Sequence, residues 1–397
     1  MGGGVWKKNC KRKRTGTAGF FPHSGRGVQH ARQQTMSLQS VVGTVKLSVC
    51  YGYDPGVRRW GCPIRQHWGL SAHQQLSPTL EDKLAFTVSA TGSYAQAAAV
   101  SAKWGTPADD STLHALAQRL GARAEEQTRV RLQTLPKEQQ PQRAPTAVAV
   151  LQIDAWLVRH RGPGCGKEKT QNPRVEWHEM KMGVFYRQEQ RACAEDGRGT
   201  LEDKVVVSWQ GEASELGRRL HWQAQACGLG RAQNILALAD GAEWCWRLIE
   251  QRWPGAHQLL DFYHASEHLH EMAEAVCGSE QEKARAWVER CLHQLRHGKE
   301  KSLLEELRAL KRPRGQAGEV VRRNQNYFAT HAGRINYKGV ARRGWPIGSG
   351  AVESACRSRQ MRFKRPGQFW TAAGLRHLSA LEEARANGHW YQLWNQN

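Results

Sequence analysis

Two short apolar runs, each ending in an aspartate, constrain this chain most. Ala147-Val-Ala-Val-Leu-Gln-Ile leads into Asp154, and Ile235-Leu-Ala-Leu-Ala leads into Asp240. Continuous apolar runs of this length read as strands buried on both faces. Such strands sit inside a sheet covered by helices, so an α/β fold is predicted. The neighbouring segments agree. Residues 175–187, 204–209 and 257–260 read as strands, and 212–228 and 241–253 as helix. Residues 265–328 read as almost wholly helical. A helix then starts near Ser349, and a last one covers 370–386. The pattern predicts a mixed sheet interrupted by an all-helical insertion.

The N-terminal third differs. Residues 43–52 alternate apolar and polar side chains, as a half-buried strand does, and with 59–63 suggest a small β-hairpin. Cys50, Cys62, His67 and His73 contain zinc-ligand types but lack the close pairs of compact zinc modules. Three helices follow, at 78–88, at 94–103 and from Asp109–Ser111 to Gly121, with Gly105 and Pro107 breaking the chain before the third. This order predicts a helix-turn-helix, with Thr112, His114 and Gln118 facing a DNA groove; an ordinary three-helix bundle fits the same pattern. Residues 123–135 look helical and charged. Pro136, Pro141 and Pro145 then mark residues 136–146 as a linker.

Charge narrows the partner. The 397 residues carry 58 Lys+Arg against 36 Asp+Glu, a formal net charge of +22, which points to a polyanion. No acid precedes Asp54, while residues 1–53 hold nine basic residues: Lys7, Lys8, Lys11, Arg12, Lys13, Arg14, Arg26, Arg32 and Lys46. Residues 1–42 lack apolar periodicity and read as disordered. They are either an arm irrelevant to folding, with Met36 as a later start, or a DNA-contacting arm. Residues 311–370 hold 14 basic residues against Glu319 and Glu353, with Trp345, Phe363, Phe369 and Trp370 interleaved. A run so one-sided is expected to track phosphates. No run of about 18 apolar residues exists to span a membrane. No secretory signal is visible, and the ten scattered cysteines suit a reducing cytosol.

The chemistry is expected where the carboxylates meet. An open α/β sheet builds sites at the C-terminal edge of its strands, where Asp154 and Asp240 fall. Hard divalent cations take oxygen ligands, and two ions about 4 Å apart serve phosphoryl transfer. Glu353 is the candidate third carboxylate, in the first turn of its helix, with Arg357, Gln360 and Lys364 on the same face and Val352, Cys356 and Phe363 toward the core. An aspartate ending a strand also serves as a cap or turn residue. Glu243 is an alternative ligand or a helix N-terminal acid. Asp261 and His264 are an accessory pair or a strand-to-helix turn.

Val150-Leu-Gln-Ile-Asp154-Ala-Trp, Trp177-His-Glu-Met, Leu238-Ala-Asp240-Gly-Ala-Glu-Trp244, Asp261-Phe-Tyr-His264 and Trp345-Pro-Ile-Gly-Ser-Gly-Ala-Val-Glu353-Ser together resemble bacterial insertion-sequence DDE transposases, most of all the ISKra family. The resemblance covers residues 46–392. It implies an RNase H-like core with a helical insertion before the glutamate, preceded here by the helix-turn-helix-type DNA-binding domain read from the residues. It also implies a triad of Asp154, Asp240 and Glu353 holding two Mg²⁺ (or Mn²⁺) ions. Asp261 and His264 match an Asp-x-x-His element of related transposases. The domain expectation is a basic disordered arm (1–45), a hairpin and helix-turn-helix region (46–135), a linker (136–146), a core (147–264), a helical insertion (265–345) and C-terminal core helices (346–397). Trp345, Arg357, Arg359 and Lys364 are expected on DNA. The expected partner is double-stranded DNA, bound by a cytoplasmic homo-oligomer that cleaves element ends and joins the 3′-OH to target. A DNA-binding protein without chemistry and an RNase H-like nuclease without strand transfer are the alternatives.

Overall fold

The computed structural model describes residues 28–56, 58–71, 74–134, 147–162, 175–193, 199–201 and 203–394. The basic stretch from Lys7 to Arg26, His73 and the proline-rich segment 136–146 lie outside the described residues. The described chain up to Ala122, with 391–394, forms one compact unit, and Arg123–Trp390 forms the other.

The first unit opens with a three-stranded antiparallel sheet in the order β1 (Gln29–Ser40), β2 (Gly43–Asp54) and β3 (Arg59–Gly61). The β2–β3 pairing is the expected hairpin. β1 lies inside the stretch expected to be disordered through residue 42, and there the expectation fails. The reason is cross-strand pairing. Met36 and Leu38 alternate with polar neighbours and pair with Leu47 and Val45, which buries them on one face of the sheet. A short helix α1 (Pro63–His67) follows.

Helices α2 (Pro78–Ala90), α3 (Tyr94–Lys103) and α4 (Asp110–Gln133) come next. Each starts where the sequence offers a capping oxygen. Ser77 accepts from Leu80 N, Ser93 from Gln96 N and Asp109 from Thr112 N. Gly105, at φ +74°, supplies the left-handed turn that ends α3. Leu84, Val88, Ala97, Leu113, Leu116 and Leu120 form the buried core between the helices. α4 does not stop at Gly121 but runs to Gln133, because nothing breaks the chain before the prolines.

The second unit is built on a mixed five-stranded sheet in the order β10-β9-β4-β5-β8, where β4 is Val148–Arg161, β5 Val175–Arg187, β8 Val205–Trp209, β9 Asn234–Ala239 and β10 His257–Leu260. Two short strands, β6 (Arg191–Cys193) and β7 (Gly199–Leu201), pair separately. β4, β5 and β8 form an antiparallel meander, while β9 runs parallel to β4 and β10 parallel to β9. This is a mixed α/β architecture, as the sequence pattern predicts, and its strand order and directions are consistent with the RNase H-like type that the resemblance implies. Helices α5 (Ala213–Ala226) and α6 (Glu243–Arg252) fill the crossovers, and Leu220 on α5 presses against Gly183, where any Cβ would lie 2.5 Å from its methyl group. The helical segment is α7 (Phe262–Cys277), α8 (Gln281–Arg296), α9 (Glu300–Ala309), α10 (Gln316–Thr330) and α11 (Tyr337–Arg342). α12 (Gly350–Phe363) and α13 (Ala372–Ala386) close the unit.

β4 differs from expectation in length. It continues seven residues past Asp154. Residues 148–153 are buried on both faces between β9 and β5. Beyond Ile153 the β9 partner ends but β5 continues, so Trp156, Val158 and His160 stay buried while Leu157 and Arg161 are exposed. Asp154 therefore sits inside β4, at the level where its parallel neighbour stops. Among the described residues no helix is long and apolar enough to cross a membrane.

Candidate active site

Register brings the first two acids together. Ile153 pairs with Ala239 as the last rung of the β4–β9 ladder, so Asp154, still inside β4, and Asp240, just past the end of β9, follow one residue later on neighbouring parallel strands. Both are half-buried. Each carboxylate is braced by its own backbone: Ala155 N donates to Asp154 Oδ1 at 2.7 Å and Ala242 N to Asp240 Oδ1 at 3.0 Å. Burial pushes the Asp154 carboxyl above the usual carboxylate range, and the charge of Asp240 adds to the effect. Two acids held together against their mutual repulsion suit a cation between them.

The third acid arrives on α12. Glu353 lies in its first turn and Ser349 Oγ donates to Glu353 Oε1 at 2.7 Å. Asp261, His264 and Glu353 each present a ligand-type atom within 4.8 Å of the others. Of these, Asp261 is spoken for. It is fully buried, its Oδ1 accepts from His264 N (2.8 Å) and His264 Nδ1 (3.1 Å), and its Oδ2 accepts from Ser349 N (2.5 Å). Burial pushes this carboxyl up, but the bonds from His264 and Ser349 outweigh it and hold it below the usual range. Asp261 caps α7 and fixes the loop leading into α12. The hydrogen bond to Asp261 raises His264 to about 9 against the cost of burial, so it carries a proton at neutral pH when no cation is bound. Among the described residues the metal-type group is Asp261, His264 and Glu353, without Asp154 or Asp240; carboxylate oxygens such as those of Asp154, Asp240 and Glu353 are the ligands that a hard divalent cation takes.

Gln152 makes the site a unit, and sequence reasoning overlooked it. Its amide is buried in the middle of β4. Oε1 accepts from Ala351 N and Val352 N, both at 3.0 Å, and Nε2 donates to Gly348 O and Tyr186 OH, both at 3.2 Å. The strand that carries Asp154 thus satisfies two of the free N–H groups at the start of the helix that carries Glu353. Asp261 holds the same turn from the end of β10. The signal was present: a lone glutamine in an apolar run must find partners for its amide once buried. Tyr327 on α10 was also missed. Its hydroxyl donates to Asp240 O at 2.6 Å, and its ring lies where a Cβ at Gly241 (φ +110°) would fall, 2.6 Å away. Only glycine fits that turn. The helical segment therefore reaches the site.

Other predicted residues scatter. Glu243 is exposed and paired with Arg247. Glu353, Arg357, Gln360 and Lys364 do share a face of α12, with Arg357 and Lys364 exposed, while Val352, Cys356 and Phe363 are buried as expected. Arg359 is a correction. It points inward, is buried and pairs with Glu382 on α13, with Arg362 4.0 Å from the same carboxylate. At i+6 from Glu353 it is turned about 120° round the helix, away from the face that Glu353 shares with Arg357 and Lys364. Trp345 is half-buried between His257 (5.1 Å between ring centroids) and Arg343 (4.9 Å). In the first unit, Thr112 spends its hydroxyl on the Asp109 cap, the exposed His114 lies edge-on to Tyr94, and Gln118 is half-buried. Among the described residues Cys50, Cys62 and His67 form no metal-type group.

No family model matches the chain, and no curated protein matches it. Among solved structures it is similar to the Drosophila P element transposase strand transfer complex, at 11% identity over 79% of each chain with a TM-score of 0.26. The likeness is loose, and no residue is carried across it.

Proposed function

We propose that this chain is a DDE-type DNA transposase of the bacterial insertion-sequence kind, resembling the ISKra family. One observation carries the reading: Asp154 within β4 and Asp240 just past β9 lie at one level on neighbouring parallel strands, and Gln152, from the strand of Asp154, seats the first turn of the helix bearing Glu353. Two bound Mg²⁺ (or Mn²⁺) ions would activate the attacking oxygen and stabilise the leaving one. Asp154, Asp240 and Glu353 would hold them. His264, tied by Asp261, would place a positive charge beside the scissile phosphate, and Asp261 would act as a positioning residue. Arg357 and Lys364, exposed on the face of Glu353, would contact the DNA backbone, with Trp345 nearby in sequence. Thr112, His114 and Gln118 would mark the helix that reads element ends, within a DNA-binding region at 46–135. A linker at 136–146 would join it to a core at 147–264 and 346–397, interrupted by the insertion at 265–345.

Water would attack a phosphodiester at the element end, breaking one P–O bond and freeing a 3′-OH. That hydroxyl would attack a target phosphodiester, forming one P–O bond for the one it breaks. The second step conserves bond type and needs no other energy source. Homo-oligomers on double-stranded DNA would bring two ends together.

The test uses full-length protein, Mg²⁺ and a plasmid carrying the DNA that flanks the coding region. Nicked and joined products that vanish in Asp154→Ala, Asp240→Ala and Glu353→Ala, with binding retained, support the proposal. Nicks without joined products would reduce it to a nuclease. Cutting that survives all three substitutions would overturn the triad.

A further inference from the structure

The N-terminal sheet carries a feature that the triad does not use. On one face of β2 and β3, Tyr51 and Trp60 lie nearly parallel (14° between planes, 6.0 Å between centroids), and Tyr53 packs 5.9 Å from the same indole. Arg32 sits 5.3 Å over Tyr51, and His30 lies 6.3 Å from Trp60. Trp60 is half exposed, so the row is not core. Beside it opens a groove of about 510 Å³, lined by Tyr51, Trp60, Arg59, Arg65, Gln34 and Gln66 among others. That volume lies within the roughly 300–1,000 Å³ of small-ligand sites. Met36, Val49 and Cys62 also line it and form a buried cluster with Trp68 packed against them.

The backbone around this row is distorted in two places. His30 (φ +52°) and Arg58 (φ +53°) are the two non-glycine residues at positive φ among the described residues, and they flank the aromatic side chains in sequence. β1 shifts register between Gln29 and Arg32, and it does so directly over Gly52, where a Cβ would meet Gln29 O at 2.9 Å. Left-handed backbone at residues without a glycine's freedom costs energy and concentrates at binding surfaces. The charge is one-signed. Between residues 28 and 80 five basic residues face one acid, Asp54, which is buried and accepts from Gly56 N in its own turn.

We infer that this groove is a binding site for unpaired bases of single-stranded DNA, which stack on Trp60 and Tyr51 while Arg32 and Arg59 meet the phosphates. Flat aromatic faces beside arginines are sequence-tolerant platforms for bases, and a paired duplex hides the base faces such a platform needs. The choice of DNA over RNA rests on the transposase reading; the stacking site itself does not.

The experiment is fluorescence anisotropy of full-length protein with labelled oligothymidylate, oligouridylate and a random duplex. A bromodeoxyuridine-substituted oligothymidylate provides photocrosslinking to the unsubstituted protein. Trp60→Ala and Tyr51→Ala should each weaken oligothymidylate binding about ten-fold while leaving duplex affinity within about two-fold, and Trp60→Phe should restore most of the loss. Crosslinks should map to the peptides holding Tyr51 or Trp60. Unchanged oligothymidylate affinity in both alanine variants, or crosslinks confined to other segments, would overturn the site. Tighter binding of oligouridylate than of oligothymidylate would overturn the assignment to DNA. Asp154→Ala, which tests the transposase reading by nicking, should bind oligothymidylate as the unsubstituted chain does, so the two proposals fail separately.

Discussion

The two ends of α12 hold charge in opposite ways. In the first turn, Glu353 is half-buried, accepts one hydroxyl from Ser349 and keeps lone pairs free. Two turns later, Arg359 and Arg362 are buried against Glu382. The first end leaves a charge open toward a ligand; the second spends its charges inside the protein. A segment's net charge says nothing about this division, which depends on the side of the helix each residue occupies.

The largest effect should come from the open end. Glu353→Gln keeps shape and the Ser349 contact but removes the charge. Strand cleavage should fall at least about 10³-fold, about 4 kcal/mol of barrier, with an unchanged thermal unfolding curve. A loss of stability of the same size would mean that Glu353 is structural and the contrast is false. The closed end should respond the other way. Arg359→Ala removes the close ion-pair partner of the buried Glu382 and should cost about 3–5 kcal/mol of stability in denaturant titration. If it instead weakened DNA binding without loss of stability, its side chain would have to reach solvent.

A third substitution probes what holds the open end in place. Gln152→Leu removes the acceptor for Ala351 N and Val352 N. Cleavage should drop about ten-fold, with a raised Mg²⁺ requirement, since the helix start then loses its hydrogen bonds to the strand that carries Asp154. An unchanged metal titration would show that Gln152 only packs. The smallest effect belongs to the exposed face. Arg357→Ala and Lys364→Ala should each lower the slope of log affinity against log salt by about one, with no change in sequence preference. No change in slope would remove α12 from the DNA interface.

Several elements were legible in advance because the local pattern determined them. β5 and β10 appear at the predicted residues, and α4 starts on the expected Asp109 cap. β1 was not legible, since its polar, basic sequence gains order only by pairing with β2. The length of β4 was hidden because the change from two neighbours to one at Ile153 depends on where β9 ends. Asp154, Asp240 and Glu353 were each visible as acids beside buried apolar runs or early in a helix, although Asp154 lies inside β4 and not at its end. Their separation from Asp261 was not, because only the folded chain brings Ser349 N to that carboxylate.

By itself, the sequence determined the α/β character, the order of strands and helices, and the acids available for chemistry. These follow from periodicity, caps and breakers, which act within a few residues. The tertiary structure decided which charges are spent and which are left. Gln152 meets Val352 across 200 residues, Asp261 meets Ser349 across 88, and Arg359 meets Glu382 between two helices. Whether a buried polar group is a strut or a ligand depends on the partners that fill its lone pairs, and those partners come from distant chain segments.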